Sequence, residues 1–184
     1  MPNCNYTAFY VSEPFDQSNL GTHAAPDFCY YHMLQMWKEK DSSFPFRDAH
    51  DTTYNVRDGS DWEGTLKPRL HERLQNSQNV ILFLSSNTKS SKALHEEIRY
   101  AIEELGLPII VVYSELKTQD AVIDAKGRFT KAVVDLWNKI PYLKEHMNEV
   151  PTLHIPMNKD AIEKALKSRN FMVQSKIENK KYRL

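Results

Sequence analysis

Residues Asn79–Glu97 read NVILFLSSNTKSSKALHEE. Val80 to Leu84 is apolar without a break, Ser85-Ser86-Asn87-Thr88 is polar, and a helix carrying Glu97 follows. A strand apolar on both faces belongs inside a parallel sheet, covered on each side by helices. In such sheets ligands bind outside the carboxyl ends of the strands, where this loop falls. The stretch predicts an α/β fold and, within it, a place for chemistry.

Its neighbours extend the pattern. Upstream, Thr65–Asn76 carries Leu66, Leu70 and Leu74 at helical spacing, with Pro68 tolerable only in a first turn. Downstream, the helix of Ser91–Leu105 ends at Gly106, a natural C-cap, and Pro108–Tyr113 (PIIVVY) is a second wholly apolar strand. Tyr6–Val11 (YTAFYV) reads as the first strand and Asp27–Lys40 as the first helix, with Tyr30, Met33, Leu34 and Trp37 in one stripe. Phe44–Arg47 reads as a short strand that Pro45 confines to a sheet edge. Ser114–Lys126 is polar and irregular. Phe129–Lys139 reads as a helix, Pro151–Ile155 (PTLHI) as a fifth strand, and Lys159–Ser168 as a last helix capped by Asn158. The alternation predicts one domain over 1–184, a flavodoxin-like, doubly wound, five-stranded parallel sheet with helices on both faces. The strands of Tyr6–Val11 and Val80–Leu84 become central neighbours, so Ser12–Phe15 and Ser85–Thr88 meet at one crevice.

The composition narrows the function classes. The 184 residues are 41% hydrophobic and 26% charged, ordinary for a globular chain, and 24 Lys and Arg balance 24 Asp and Glu. Zero net charge gives no electrostatic reason to expect nucleic acid or an anionic membrane as a partner. The basic tail, Lys176 to Arg183, reads as a solvated end. The two cysteines, Cys4 and Cys29, form no CxxC pair, and Cys29 among apolar neighbours reads as buried packing. The start, MPNCNYTAF, has neither a charged n-region nor an apolar h-region, and no apolar run approaches the ~20 residues a membrane span needs. A cytoplasmic, reducing setting is the expectation.

At ~100° per residue, Leu94, Ile98, Ala101, Ile102 and Leu105 share one face of their helix. Glu97 falls at the border of that stripe, where it can be half desolvated and still face the crevice; Glu96 points well away. The same position suits an early-helix acid favoured by the helix dipole. Other chemistries lack their residues. There is no GxGxxG or GxxxxGK[ST] cradle, no GxSxG elbow and no HExxH or Cys/His cluster, so no metal is expected. Asp48 and His50, in FRDAHD, open a long polar connection, Asp48–Glu63. The pair suits ribose or phosphate binding, proton transfer, or a plain surface contact. Trp62 suits stacking on a ring or anchoring the connection. His95 reads as solvated and His154 as structural.

Several segments together, AFYVSEPFD, FPFRDAHDTTYNVRDGS, TLKPRL and above all VILFLSSNTKSSKALHEEIRYAI, resemble the TIR-like family that includes the TIR component of the bacterial Thoeris anti-phage system. The resemblance spans about residues 6–113; residues 114–184 complete the sheet and add a helix and the basic tail. TIR enzymes often carry Trp-Cys-x-x-Glu at the start of this helix. Here Ala93 and Leu94 stand at the Trp and Cys positions, and Glu97 keeps the acid.

The resemblance implies an NAD-consuming enzyme, with NAD as substrate and no cofactor. It makes Glu97 the catalytic carboxylate beside the ribose that bears nicotinamide. It places Ser12, with Phe15, in the pocket lining, Asp48 and His50 at the start of a loop that gates the site or mediates assembly, and Ser85 and Ser86 on ribose or phosphate. The product, ADP-ribose or a cyclic or conjugated relative, is a signal for a separate effector protein. A phage-derived trigger and self-association are the further partners implied. An inert TIR-like adaptor acting by self-association is the competing reading, and it fits Ala93 and Leu94. A receiver-like phosphoacceptor fits poorly, since Ser85-Ser86 and no aspartate follow Val80–Leu84.

Overall fold

The apolar stretch becomes the second strand of an all-parallel, five-stranded sheet in the computed structural model, which describes residues 4–8, 26–50 and 61–184. The strands lie in sequence order: β1 Cys4–Ala8, β2 Ser77–Leu84, β3 Ile109–Tyr113, β4 Thr152–Pro156 and β5 Lys181–Arg183. Tyr6 pairs with Val80, and Val80 with Ile109, so β1 and β3 flank β2 as neighbours.

Period-two alternation divides the strand residues between two apolar layers. Tyr6, Ala8, Val80, Leu82, Leu84 and Val111 face one layer. Helices α2 (Lys67–Gln75), α3 (Lys92–Arg99), α5 (Lys131–Trp137) and α6 (Pro141–His146) cover it with Leu74, Leu94, Val133 and Leu143. Ile81, Phe83, Ile110, Val112 and Ile155 face the other, under α1 (Pro26–Lys40) and α7 (Lys159–Lys167). Val80 through Leu84 are each 0% exposed, as a central strand requires. The doubly wound α/β arrangement is therefore as expected.

The two expected sheet edges differ. Phe44–Arg47 is not a strand; just after it Asp48 forms a single parallel bridge with Asn5 of β1, in which the Asn5 N–H donates to the Arg47 carbonyl (2.6 Å) and the Ala49 N–H to the Asn5 carbonyl (3.2 Å). Pro45 has no N–H to give, and the Arg47 N–H is taken by the Asn5 side chain (2.8 Å) rather than by backbone. Asn5 also donates to Asn79 Oδ1 (2.9 Å), which fixes this edge to β2. At the other edge the basic tail is not a free end: Lys181–Arg183 pairs with Thr152–His154 as β5, and Tyr182 packs edge-on to Phe171.

Helices α2 and α3 match the expected segments, but each has a wider π-helical turn, Trp62–Leu66 before α2 and Tyr100–Glu104 after α3. Gly106, at φ +59°, ends the latter in the left-handed conformation glycine adopts without strain. The segment read as irregular contains a short helix, α4 (Gln119–Val122), and α6 was not anticipated. Asn158 caps α7 by accepting from the N–H groups of Asp160 and Ala161. Cys29 is exposed, not buried, because it lies about 200° around α1 from the inward Tyr31. Among the described residues no helix is long and apolar enough to cross a membrane.

Candidate functional site

Ser91 starts the element that carries the site. Its hydroxyl accepts the Leu94 N–H (3.1 Å), an N-cap that sets where α3 begins and hence which residues face the sheet. Leu94, Ile98 and Ala101 then point into the core, and Glu97 lies between α3 and β1.

The Glu97 carboxylate is buried. The Tyr6 hydroxyl donates to its Oε1 at 2.7 Å, while Oε2 has no hydrogen-bond partner among the described residues. Burial raises its pKa to about 8, against the opposing pull of the Tyr6 hydrogen bond and the Arg73 charge. At neutral pH Glu97 therefore mostly keeps its proton. Tyr6, buried in its turn and facing that carboxylate, is held well above the ordinary phenol range.

His50 stands on the other side of the Tyr6 ring, with ring centroids 4.7 Å apart. Its Nε2–H donates to the Thr7 carbonyl (3.1 Å), and its Nδ1 accepts from Arg73 (3.4 Å). One donating and one accepting nitrogen define a neutral imidazole. Desolvation and the Arg73 charge lower its pKa to about 4, in keeping with that tautomer. Asp48 supports this arrangement: its Oδ1 accepts the His50 backbone N–H (2.8 Å), and its Oδ2 accepts from Tyr31 (2.5 Å) and Gln35 (3.1 Å) of α1. Both Asp48 oxygens are occupied, and they hold the base of the long connection to α1.

Ser85 and Ser86 form a second group, at the end of β2. Ser85 is 2% exposed; its N–H donates to Thr88 Oγ1 (2.9 Å), and its Oγ accepts the Asn87 N–H (3.2 Å). Ser86 donates through both its N–H and its hydroxyl to Glu115, on the loop after β3. Ser12 and Phe15 lie outside the described residues.

The structure thus joins Glu97, His50 and Asp48 in one network through Tyr6 and Arg73, which the sequence reading missed. Tyr6 is legible in hindsight as the inward position of β1 two residues before Ala8, and Arg73 as a charge next to Leu74 on the helix stripe. Glu115, which clasps Ser86, carried no periodic signal.

The expectation that Glu96 points away is corrected. Glu96 is 9% exposed and faces α2, where His71 (2.8 Å) and Lys67 (3.7 Å) meet it, while Arg99, one turn on along α3, closes on it at 2.9 Å. Hydrogen bonds from Arg99 lead in lowering its pKa to about 2. Trp62 packs against the core with the Lys92 ammonium 4.9 Å above its ring, the anchoring alternative. His95 is exposed. His154 is buried, accepts the Tyr113 hydroxyl at Nδ1 (2.6 Å), and is kept neutral by desolvation, its pKa lowered to about 3. Among the described residues no three His, Cys, Asp or Glu side chains could hold a metal ion.

Residues 6–119, more than half of the chain, match the family described as Thoeris protein ThsB, TIR-like domain. The match takes in Tyr6, Asp48, His50, Arg73, the Ser85-Ser86 loop, Glu97 and Glu115.

Proposed function

Because the chain belongs to this Thoeris TIR-like family, we propose that it is an NAD-cleaving enzyme of anti-phage defence that releases nicotinamide and makes a nucleotide signal for a separate effector. The observation that carries the reading is Glu97: a buried carboxylate with one oxygen held by Tyr6 and the other without a partner among the described residues. A buried polar atom left unpaired is costly, and a ligand hydroxyl that fills the position recovers the cost.

In this reading Glu97 Oε2 meets a hydroxyl of the ribose that bears nicotinamide. The nicotinamide ring of NAD is cationic, and a positive charge beside Glu97 favours release of its proton to solvent. Tyr6 and Arg73 are already placed to steady the carboxylate so formed. The bond between ribose C1′ and the ring nitrogen then breaks. The bonding pair leaves with nicotinamide, which departs neutral, and positive charge builds on the sugar as an oxocarbenium ion. A preorganised carboxylate in a water-poor site stabilises that charge strongly, so one acid suffices without a metal or a strong general acid. A hydroxyl attacks C1′ and gives up its proton to Glu97 or to solvent. Water yields ADP-ribose, a hydroxyl of the same molecule a cyclic isomer, and another nucleophile a conjugate.

The remaining side chains have supporting parts in the proposal. His50, neutral and packed on Tyr6, shapes the wall of the site, and Asp48 holds the loop that carries it. In the proposal, Ser12 and Phe15 are kept by family resemblance for the substrate pocket, and Ser85 and Ser86 for ribose or phosphate. A phage-derived trigger and self-association complete the active state. The test is mass spectrometry of nucleotides after the protein is incubated with NAD and an extract of phage-infected cells. Nicotinamide release by wild type and its loss in folded Glu97→Gln are expected; equal NAD consumption by the two would overturn the mechanism. Concentration-dependent oligomers that leave NAD intact would favour the adaptor instead.

A further inference from the structure

At the opposite, amino-terminal edge of the sheet lies a groove of about 470 Å³ that takes no part in the site above. Lys38, Arg47 and Lys167 line it, with Gln78 at the start of β2 and Pro45 and Met172 as apolar contacts. Three elements meet there: the end of α1 with the turn after it, the start of β2, and the end of α7.

The charge of this groove is the unusual part. The chain as a whole is neutral, yet among the described residues three cations line one groove and no carboxylate does. Lys38 is fixed in place: its ammonium donates to the Ser42 carbonyl (2.7 Å) and the Phe44 carbonyl (2.8 Å). An ammonium has three N–H donors, so two neutral acceptors leave one donor and the whole charge over. Two acids stand outside the lining: Glu163 pairs with Lys167 (2.5 Å), and Asp41, whose Oδ1 accepts the N–H (2.9 Å) and the hydroxyl (2.6 Å) of Ser43, lies within range of the Lys159 and Lys167 charges, so among the described residues the charge left over in the groove is that of Lys38 and Arg47.

A fixed ammonium beside a guanidinium suits a multiply charged, oxygen-rich anion, for which arginine offers bidentate donors. The volume falls within the roughly 300–1,000 Å³ of small-molecule sites. Pro45 and Met172 offer apolar surface for a ring attached to such an anion. We propose that this groove binds a phosphate-bearing small molecule of nucleotide size, with its phosphate between Lys38 and Arg47 and Lys167 at the flank. The site is separate from Glu97 and independent of the NAD-cleaving reading.

Isothermal titration of the full chain at low salt, with inorganic pyrophosphate and with AMP as probes, tests it. Both probes are expected to bind, AMP at least as tightly, with binding at least about tenfold weaker in Arg47→Glu/Lys167→Glu, which removes the charged bidentate contact. Arg47 is exposed, and Lys167→Glu loses the pair with Glu163 and sets a like charge beside it at the helix end, so the double variant is expected to stay folded with a melting temperature lowered by only a few degrees, and Glu97→Gln to bind both probes as wild type does. Absence of binding at millimolar probe, equal binding by the double variant, or tighter binding of a polyglutamate peptide than of AMP would each overturn the proposal.

Discussion

Glu96 and Glu97 are adjacent in sequence and opposite in chemistry. Glu96 turns to α2 and is surrounded by Arg99, His71 and Lys67, and its pKa is lowered to about 2. Glu97 turns to β1, meets one phenol, and has its pKa raised to about 8. One step of ~100° around a helix separates a carboxylate whose charge is fully matched from one whose charge is withheld. A matched charge holds α3 to α2. A withheld charge is available to whatever positive group enters beside it. Strongly perturbed groups gather at functional sites, though structural ion pairs perturb pKa values as well, and this helix has one of each.

The comparison breaks most sharply in activity. Glu97→Gln is expected to lower nicotinamide release by ~100-fold or more, the scale of losing a preorganised charge-stabilising group, while Glu96→Gln keeps most of it. An initial-rate assay with both variants checks this; similar losses in the two would merge the roles separated here.

Tyr6→Phe comes next. The lost hydrogen bond favoured the charged form of Glu97, so its pKa rises further. The acid limb of the pH–rate profile should move to higher pH by about one unit or more, on the scale of a hydrogen bond to a charged group. A profile that keeps its midpoint and only loses height would limit Tyr6 to packing.

Stability against pH separates the two acids by sign. Between the ordinary 4.5 and about 8, folded Glu97 keeps a proton that the unfolded chain has released. The folded state then binds more protons, so Glu97's contribution is fully present below pH 4.5 and is lost as pH rises through 8. For Glu96 the unfolded chain takes up the proton first, so its contribution is present above pH 4.5 and is lost as pH falls toward 2. Melting temperatures of Glu97→Gln should accordingly exceed those of wild type at pH 9 and converge with them near pH 5, while Glu96→Gln flattens the acid side.

The smallest effect is Glu96→Gln at neutral pH. Its partners are part exposed, so solvent discounts the network to about 1 kcal/mol of stability, readable by urea denaturation. A loss several times larger would mean that the ion cluster, rather than the apolar stripe, holds α3 in place.

Much of this is legible in the sequence. The unbroken apolar runs of Val80–Leu84 and Ile109–Tyr113 imply central strands, and the Leu94–Ile98–Ala101 stripe orients α3. What periodicity does not carry is what waits across each helix face. Glu96 was misplaced because α2 brings Lys67 and His71 to it, a contact between residues far apart in the chain. Tyr6 and Arg73 were missed for the same reason: their importance is a distance to Glu97 and His50, not a pattern of their own. The edge at Phe44–Arg47 falls short of a strand because its backbone pairing stops at the Asn5 bonds to Arg47 and Ala49, and the Arg47 N–H goes to the Asn5 side chain instead. The tail was underread because a basic composition says nothing about whether Tyr182 finds a neighbour such as Phe171.

A carboxyl-detected NMR titration of selectively labelled glutamates reads both acids at once. The predicted result is Glu97 titrating near 8 and moving upward in Tyr6→Phe, with Glu96 titrating near 2. A Glu97 carboxyl that titrates with the ordinary glutamates, near 4.5, and is unmoved by Tyr6→Phe would contradict the contrast on which the proposed chemistry rests.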